Sequence, residues 1–141
     1  MTDINTFAPY RYGSQHSFSC AEKNCTYIVE NPSSKCVRQF KVDGGVFPEN
    51  SSQIRCDWLF LNDTNQAAYY VELKGTDIFH AIEQIEKTEQ EIQPSIREYV
   101  VYRRIVYHSH SHRVTDQRVQ KWKLKGNGAN IVKERKHIDR F

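Results

Sequence analysis

Three residues of this 141-residue chain offer chemistry together: Asp57, Glu72 and Lys74. Two carboxylates that converge repel each other and need a counter-charge. A divalent metal supplies it best. Mg2+ prefers hard oxygen ligands, commonly one or two carboxylates together with waters and phosphate oxygens. The backbone carbonyl of Leu73, between Glu72 and Lys74, offers a further oxygen. An amine such as Lys74 beside the metal can hold or help deprotonate an attacking water, or neutralise charge developing on a phosphate. The combination suits hydrolysis of a phosphodiester, with Mg2+ or Mn2+ as the cofactor.

The stretch from Arg55 to Gly75 has to bring these groups together. It holds two apolar runs, Trp58 to Leu61 and Ala67 to Leu73, separated by the turn-forming cluster Asn62-Asp63-Thr64-Asn65-Gln66. Two strands joined by a tight loop are predicted, as an antiparallel hairpin. Residues two apart on a strand share a face, so Glu72 and Lys74 point one way and Leu73 the other. If Asn62 opposes Ala67 across the loop, Asp57 falls opposite Glu72. A shift of two would set it opposite Lys74, whereas an odd shift would send it to the other face.

Asp57, then Glu72-Leu73-Lys74 closing an apolar strand, then Gly75 and an amphipathic helix, resemble the PD-(D/E)xK nuclease superfamily over roughly residues 37 to 107. Restriction endonucleases, Holliday-junction resolvases and small phage and bacterial nucleases belong to it. The resemblance implies an α/β (α+β) fold, with a restriction-endonuclease-like mixed β-sheet core flanked by helices. It implies that Asp57 and Glu72 bind the metal and that Lys74 acts on the nucleophilic water. It implies a nucleic-acid substrate, with DNA favoured over RNA, and a homodimer, since small members often pair. The sequence departs from the family pattern in three places. Cys56 rather than Pro precedes the Asp. No first helix supplies the upstream acidic residue, for which Glu30 and Glu22 are the candidates. Gln84 is followed four positions later by Thr88 rather than Tyr. The alternative reading is a non-catalytic module that binds nucleic acid or protein on a degenerate nuclease fold, and the intact Asp57, Glu72 and Lys74 speak for catalysis.

Length and composition suit one globular domain, residues 1–141, with a core of its own. The net charge is only +3, but its distribution is uneven: from Arg113 onward nine Lys or Arg stand against three Asp or Glu. A basic segment beside a carboxylate site is what a phosphodiesterase acting on nucleic acid needs. The N-terminus lacks a basic region followed by an apolar one, and no apolar run is long enough to span a bilayer. The expected location is the cytoplasm of a bacterial, archaeal or phage-infected cell. Cys20, Cys25, Cys36 and Cys56 lack the close pairs of a zinc site and are expected as free or buried thiols.

The remaining elements follow in order. Residues 1–13 show no period and are expected as a poorly ordered start or an arm against a neighbour. Thr26 to Val29 reads as a short strand. Cys36 to Val42 alternates, Asp43-Gly44 reads as a hairpin turn, and Gly45-Val46-Phe47 as the start of a return strand. Asp43 is either a second acidic group near the site or simply a turn residue. A helix is predicted over Thr76 to Gln93, with Ile78, Ile82, Ile85 and Ile92 as its buried stripe and Pro94 as its end. His80 and Gln84 either touch substrate or are solvated helix residues, and the outer face with Glu83, Glu86, Glu89 and Glu91 would repel DNA. Glu98 to His108 is apolar on both faces and reads as a central strand. There Arg103 and Arg104 must point to opposite faces, and at least one needs an anion, for which an active-site carboxylate is one candidate. His108, His110 and His112 would line one face of an extended segment, as a transition-metal site or a surface loop. Thr115 to Lys125 is predicted as a basic helix closed by Gly126. Arg118, Lys121, Lys123 and Lys125 are its candidate phosphate contacts, and Trp122 either stacks on a base or packs into the domain. A last strand, Asn130 to Arg135, is followed by a basic tail.

Overall fold

The central hairpin forms in the register that its turn residues set. In the computed structural model, which describes residues 1–49, 54–74, 76–108 and 115–141, strand β5 (Trp58–Asn62) pairs antiparallel with β6 (Ala67–Lys74). Asn62 stands opposite Ala67 and Trp58 opposite Val71. Parity sorts the side chains of β6. Ala68 and Tyr70 face one hydrophobic core, and Val71 and Leu73 face another. A strand covered on both faces needs apolar residues at consecutive positions, and this one has them.

Four more strands complete the sheet: β1 (Arg11–Gly13), β4 (Val37–Lys41), β7 (Val100–Tyr107) and β8 (Asn130–Glu134). Their order is β1-β4-β5-β6-β7-β8. Pairing is antiparallel from β1 to β6 and parallel from β6 to β8. Each parallel step carries a helix in the connection, as the geometry requires. Helix α1 (Ile78–Ile92) lies between β6 and β7, and α2 (Gln117–Lys125) between β7 and β8. Both pack on the same face of the sheet, with Leu59, Leu61, Ala68, Tyr70 and Ile105 beneath them.

Asp77 starts α1 by accepting the His80 backbone N–H at 3.1 Å. Its buried stripe is Ile78, Ala81, Ile85, Thr88 and Ile92. Ile82 and Phe79 lie half-buried beside it. The chain then tightens into a 3-10 turn at Gln93–Ile96, where Pro94 sits near the start and forfeits no helical bond. Asp116 caps α2, which starts two residues later than Thr115 and ends at Gly126.

The opposite face is covered by a second sheet of β2 (Ser17–Glu22), β3 (Cys25–Glu30) and β9 (Lys136–Arg140), in the order β2-β3-β9. The fold is therefore α+β in three layers: helices, mixed six-stranded sheet, three-stranded sheet. In β2 only Phe18 and Cys20 of the alternating residues turn inward, which is why the strand is hard to see in a polar sequence. In β9, which replaces the expected tail, the half-buried positions are His137 and Asp139.

Three further expectations change. The N-terminal residues are held: Ile4 is fully buried and β1 pairs with β4. Among the described residues no return strand follows Asp43-Gly44. The N–H groups of Val46 and Phe47 turn back to the carbonyls of Lys41 and Val42, leaving only an isolated bridge between Asp43 and Phe47. The edge of β4 that a return strand would need is taken by β5 and β1. Arg103 and Arg104 do point to opposite faces, but neither meets an active-site carboxylate. Arg103 forms a two-pronged pair with Glu89 of α1 at 2.7 and 2.6 Å, and Arg104 reaches Asp139 of β9 at 2.7 Å. Gly75, His110, His112 and Arg113 lie outside the described residues. No described helix is long and apolar enough to cross a membrane.

Candidate active site

Asp57 directly precedes β5, and continuing the pairing of Trp58 with Val71 sets it opposite Glu72. Its Oδ2 accepts the Leu73 backbone N–H at 2.9 Å, which fixes the carboxylate against the end of β6. Glu72 lies on the helix-facing side of β6 and is completely buried. Among the described residues no N–H or O–H donor reaches either of its oxygens, and its carboxyl lies against that of Asp57. Lys74, one step along the same face, brings its Nζ to 3.8 Å from Glu72 Oε2. Burial and the charge of Asp57 hold the Glu72 carboxyl well above the ordinary carboxylate range, against the opposing pull of Lys74 and Lys23.

Helix α1 orients the amine. Lys74 Nζ donates to Gln84 Oε1 at 2.9 Å, and Gln84 Nε2 donates to the Arg55 carbonyl at 2.9 Å. Gln84 thus fixes Lys74 relative to the segment that carries Asp57, and Thr88 ties that segment down again by accepting the Cys56 N–H at 2.8 Å.

The second sheet contributes two residues. Glu22 ends β2, and its carboxyl is pushed up by burial and by the neighbouring Asp57. Lys23 and Asn24 form the two-residue turn between β2 and β3, with φ of 52° and 60°, the left-handed pair such a turn requires. Lys23 Nζ donates to the Leu73 carbonyl at 3.3 Å. That oxygen, expected as a free metal ligand, is already engaged. Cys25 places its thiol 3.5 Å from the Lys74 carbonyl. Sequence reasoning named Glu22 only as a bare candidate and missed Lys23, because neither is legible without the second sheet.

Other predicted residues lie elsewhere. Glu30 ends the same hairpin at its far end from Cys25, roughly 17 Å away at the usual rise per residue. His80 is partly exposed and turns its Nδ1 to Glu83 at 3.9 Å, along the helix surface rather than toward Lys74. Asp43 is exposed in its turn, and no described contact joins its carboxylate to Asp57 or Glu72. Trp122 is 6 % exposed and belongs to the core beneath the helices, so it is not a base-stacking surface. Arg118 lays its guanidinium over Phe79, 4.0 Å from the ring centre. Lys121 and Lys125 are exposed and Lys123 half-exposed.

The donor set fits a hard divalent cation. Glu72 is a buried carboxylate whose oxygens lack donors, and Asp57 stands beside it. Two carboxylates are a common protein share of a Mg2+ shell, the rest being water and phosphate oxygen. No group of three or more His, Cys, Asp or Glu among the described residues stands close enough to enclose a metal by itself. All four cysteines are unbridged, with Cys36 alone exposed. No family model, no curated protein and no solved structure matches this chain.

Proposed function

We propose that this protein is a divalent-metal-dependent nuclease that hydrolyses phosphodiester bonds in nucleic acid. The observation that carries the reading is the Glu72 carboxylate, fully buried and without a hydrogen-bond donor, with Asp57 and Lys74 placed against it. An unsatisfied buried carboxylate is strongly unfavourable, and such groups persist where a ligand supplies what is missing. Asp57 and Glu72 would hold Mg2+ or Mn2+, which would supply charge neutralisation and Lewis-acid polarisation of a phosphoryl oxygen.

The rest of the work falls to the chain itself. Lys74, held by Gln84, positions a water and takes part in its deprotonation, or stabilises charge developing on the phosphate. Leu73 N–H keeps Asp57 aimed. The closed layers on both sides of β6 lower the local dielectric, so each of these charges acts more strongly than it would in water.

The test is cleavage of single-stranded, duplex and branched DNA and of RNA, with Mg2+ or Mn2+, beside Lys74→Ala. Metal-dependent cleavage by the wild type that falls about a hundredfold or more in the variant is expected. A folded wild type that cleaves none of these substrates would overturn the proposal.

A further inference from the structure

One aromatic and cationic strip adjoins the site: its outer residues Tyr10, Arg11 and Lys41 are exposed, and its inner residue Trp58 anchors it in the core between the two sheets. Tyr10 is 56 % exposed, and its ring meets Trp58 edge-on with centres 5.1 Å apart. Trp58 is the residue after Asp57. Arg11 sets its guanidinium 5.5 Å from the Tyr10 ring centre. Lys41 is exposed and stands directly across from Trp58 in the β4–β5 pairing. Gln39, two residues back along the same face of β4, pairs with Arg11 across to β1. The strip runs from Arg11 through Tyr10 and Trp58 to Lys41 on the face toward the second sheet, and it nears the site where Lys41 acts on Glu22, the neighbour of Asp57.

Two polar atoms in it lack partners. The Trp58 indole N–H and the Gln39 Oε1 are buried and find no hydrogen bond among the described residues. Gln39 is held between the sheets by its Nε2 on the Ser19 carbonyl at 3.2 Å, so these two atoms mark the strip's buried edge, where water bridges such groups.

We propose that this strip is the substrate track, and that the substrate it takes is a single strand of nucleic acid, one base stacking on Tyr10 and the backbone phosphates meeting Arg11 and Lys41 on the way to Asp57. The inference rests on the nuclease reading above and gives it a substrate class. An exposed ring offers its face to a base that is not already stacked, which a single strand provides and a duplex does not. Two cations spaced along the ring match a chain of phosphates. The outer face of α1, with Glu83 and Glu86, excludes a polyanion from the helix layer, so approach from the β1–β4 edge avoids it.

The test measures binding of labelled single-stranded DNA, the same sequence as duplex, and single-stranded RNA to the full-length wild type in EDTA, where metal-dependent cleavage is silent. Tyr10→Ala, Tyr10→Phe, Lys41→Ala and Tyr12→Ala are run beside it. Single strands are expected to bind more tightly than duplex. Tyr10→Ala should weaken that binding about tenfold, Tyr10→Phe should restore it, and Lys41→Ala should lower the salt dependence by about one ion. Tyr12, exposed but paired with Arg38 on the opposite face of β1, should not affect it. Unchanged binding in Tyr10→Ala, or tighter binding of duplex that ignores Tyr10, overturns the track while metal-dependent cleavage leaves the nuclease standing. A wild type that neither binds nor cleaves any nucleic acid overturns both.

Discussion

Glu72 is where stability and activity oppose each other. Burial without donors, with Asp57 beside it, penalises the ionised form of Glu72 in the folded state, so the carboxyl must either hold its proton or be met by a cation. Glu72→Gln removes the charge with nearly the same shape. In metal-free buffer that variant is expected to be more stable than the wild type by about 1–3 kcal/mol, and to lose metal-dependent cleavage. Urea titration checks the first half, and a lower midpoint would show that Glu72 is compensated in the fold. Lys23 is the second lever at this scale. Its ammonium occupies the Leu73 carbonyl and acts on Glu72, one of the two carboxylates proposed to hold the cation. Removing a tethered competitor should help a free one. Lys23→Ala is therefore expected to bind Mn2+ several-fold more tightly by calorimetry, and weaker binding would make Lys23 a helper rather than a rival.

At the scale of elements, Asp139 on β9 ties the second sheet to the first. It receives Tyr27 Oη at 2.6 Å and Arg104 Nε at 2.7 Å, and lies 3.0 Å from His137 Nε2. Burial alone would raise its pKa, but the hydrogen bonds from His137, Arg104 and Tyr27 prevail and hold it at about 2, below the ordinary 3.8. A depressed carboxylate stabilises the fold above its unfolded pKa, and that stability is lost as pH falls through the folded one. The wild type should lose up to about 2 kcal/mol between pH 4 and pH 2 through this group, and Asp139→Asn should lack that loss. Equal acid sensitivity of the two proteins would remove Asp139 from the account. The same element shows what the sequence conceals. The hairpin around Asn62–Ala67 and the stripe of α1 were legible because their apolar periods are strong and their partners lie close in the chain. β9 was not, since its inward residues are His137 and Asp139, a polar pair that reads as tail until Arg104 and Tyr27 are brought to it. β2 shares the difficulty, with two buried apolar residues in six, so Glu22 stayed a bare candidate and Lys23 went unseen. Trp122 was open between two readings for the opposite reason: cations flank it along the helix, but the face it occupies is the apolar one shared with Val119, and it packs into the domain.

Across the whole molecule, the site belongs to all three layers. Asp57, Glu72 and Lys74 come from the large sheet, Gln84 from α1, and Glu22 and Lys23 from the turn of the small sheet. A cation bound at Asp57 and Glu72 thus acts on the unfolding of the entire domain, because an unfolded chain keeps none of these groups together. Binding to the folded state alone stabilises it by RT ln(1 + [L]/Kd), about 1.4 kcal/mol at tenfold excess over Kd. For a chain of this length that corresponds to a rise in Tm of about 3–5 °C. The wild type should show such a rise with Mg2+ or Mn2+, saturating with concentration, while Glu72→Gln starts from a higher Tm and shows little further change. Monovalent salt at equal ionic strength separates site binding from screening, which would act on both proteins alike. An identical metal-induced rise in the two proteins would place the cation elsewhere, and with it the argument that the unpaired carboxylate on β6 exists to be paired by a metal.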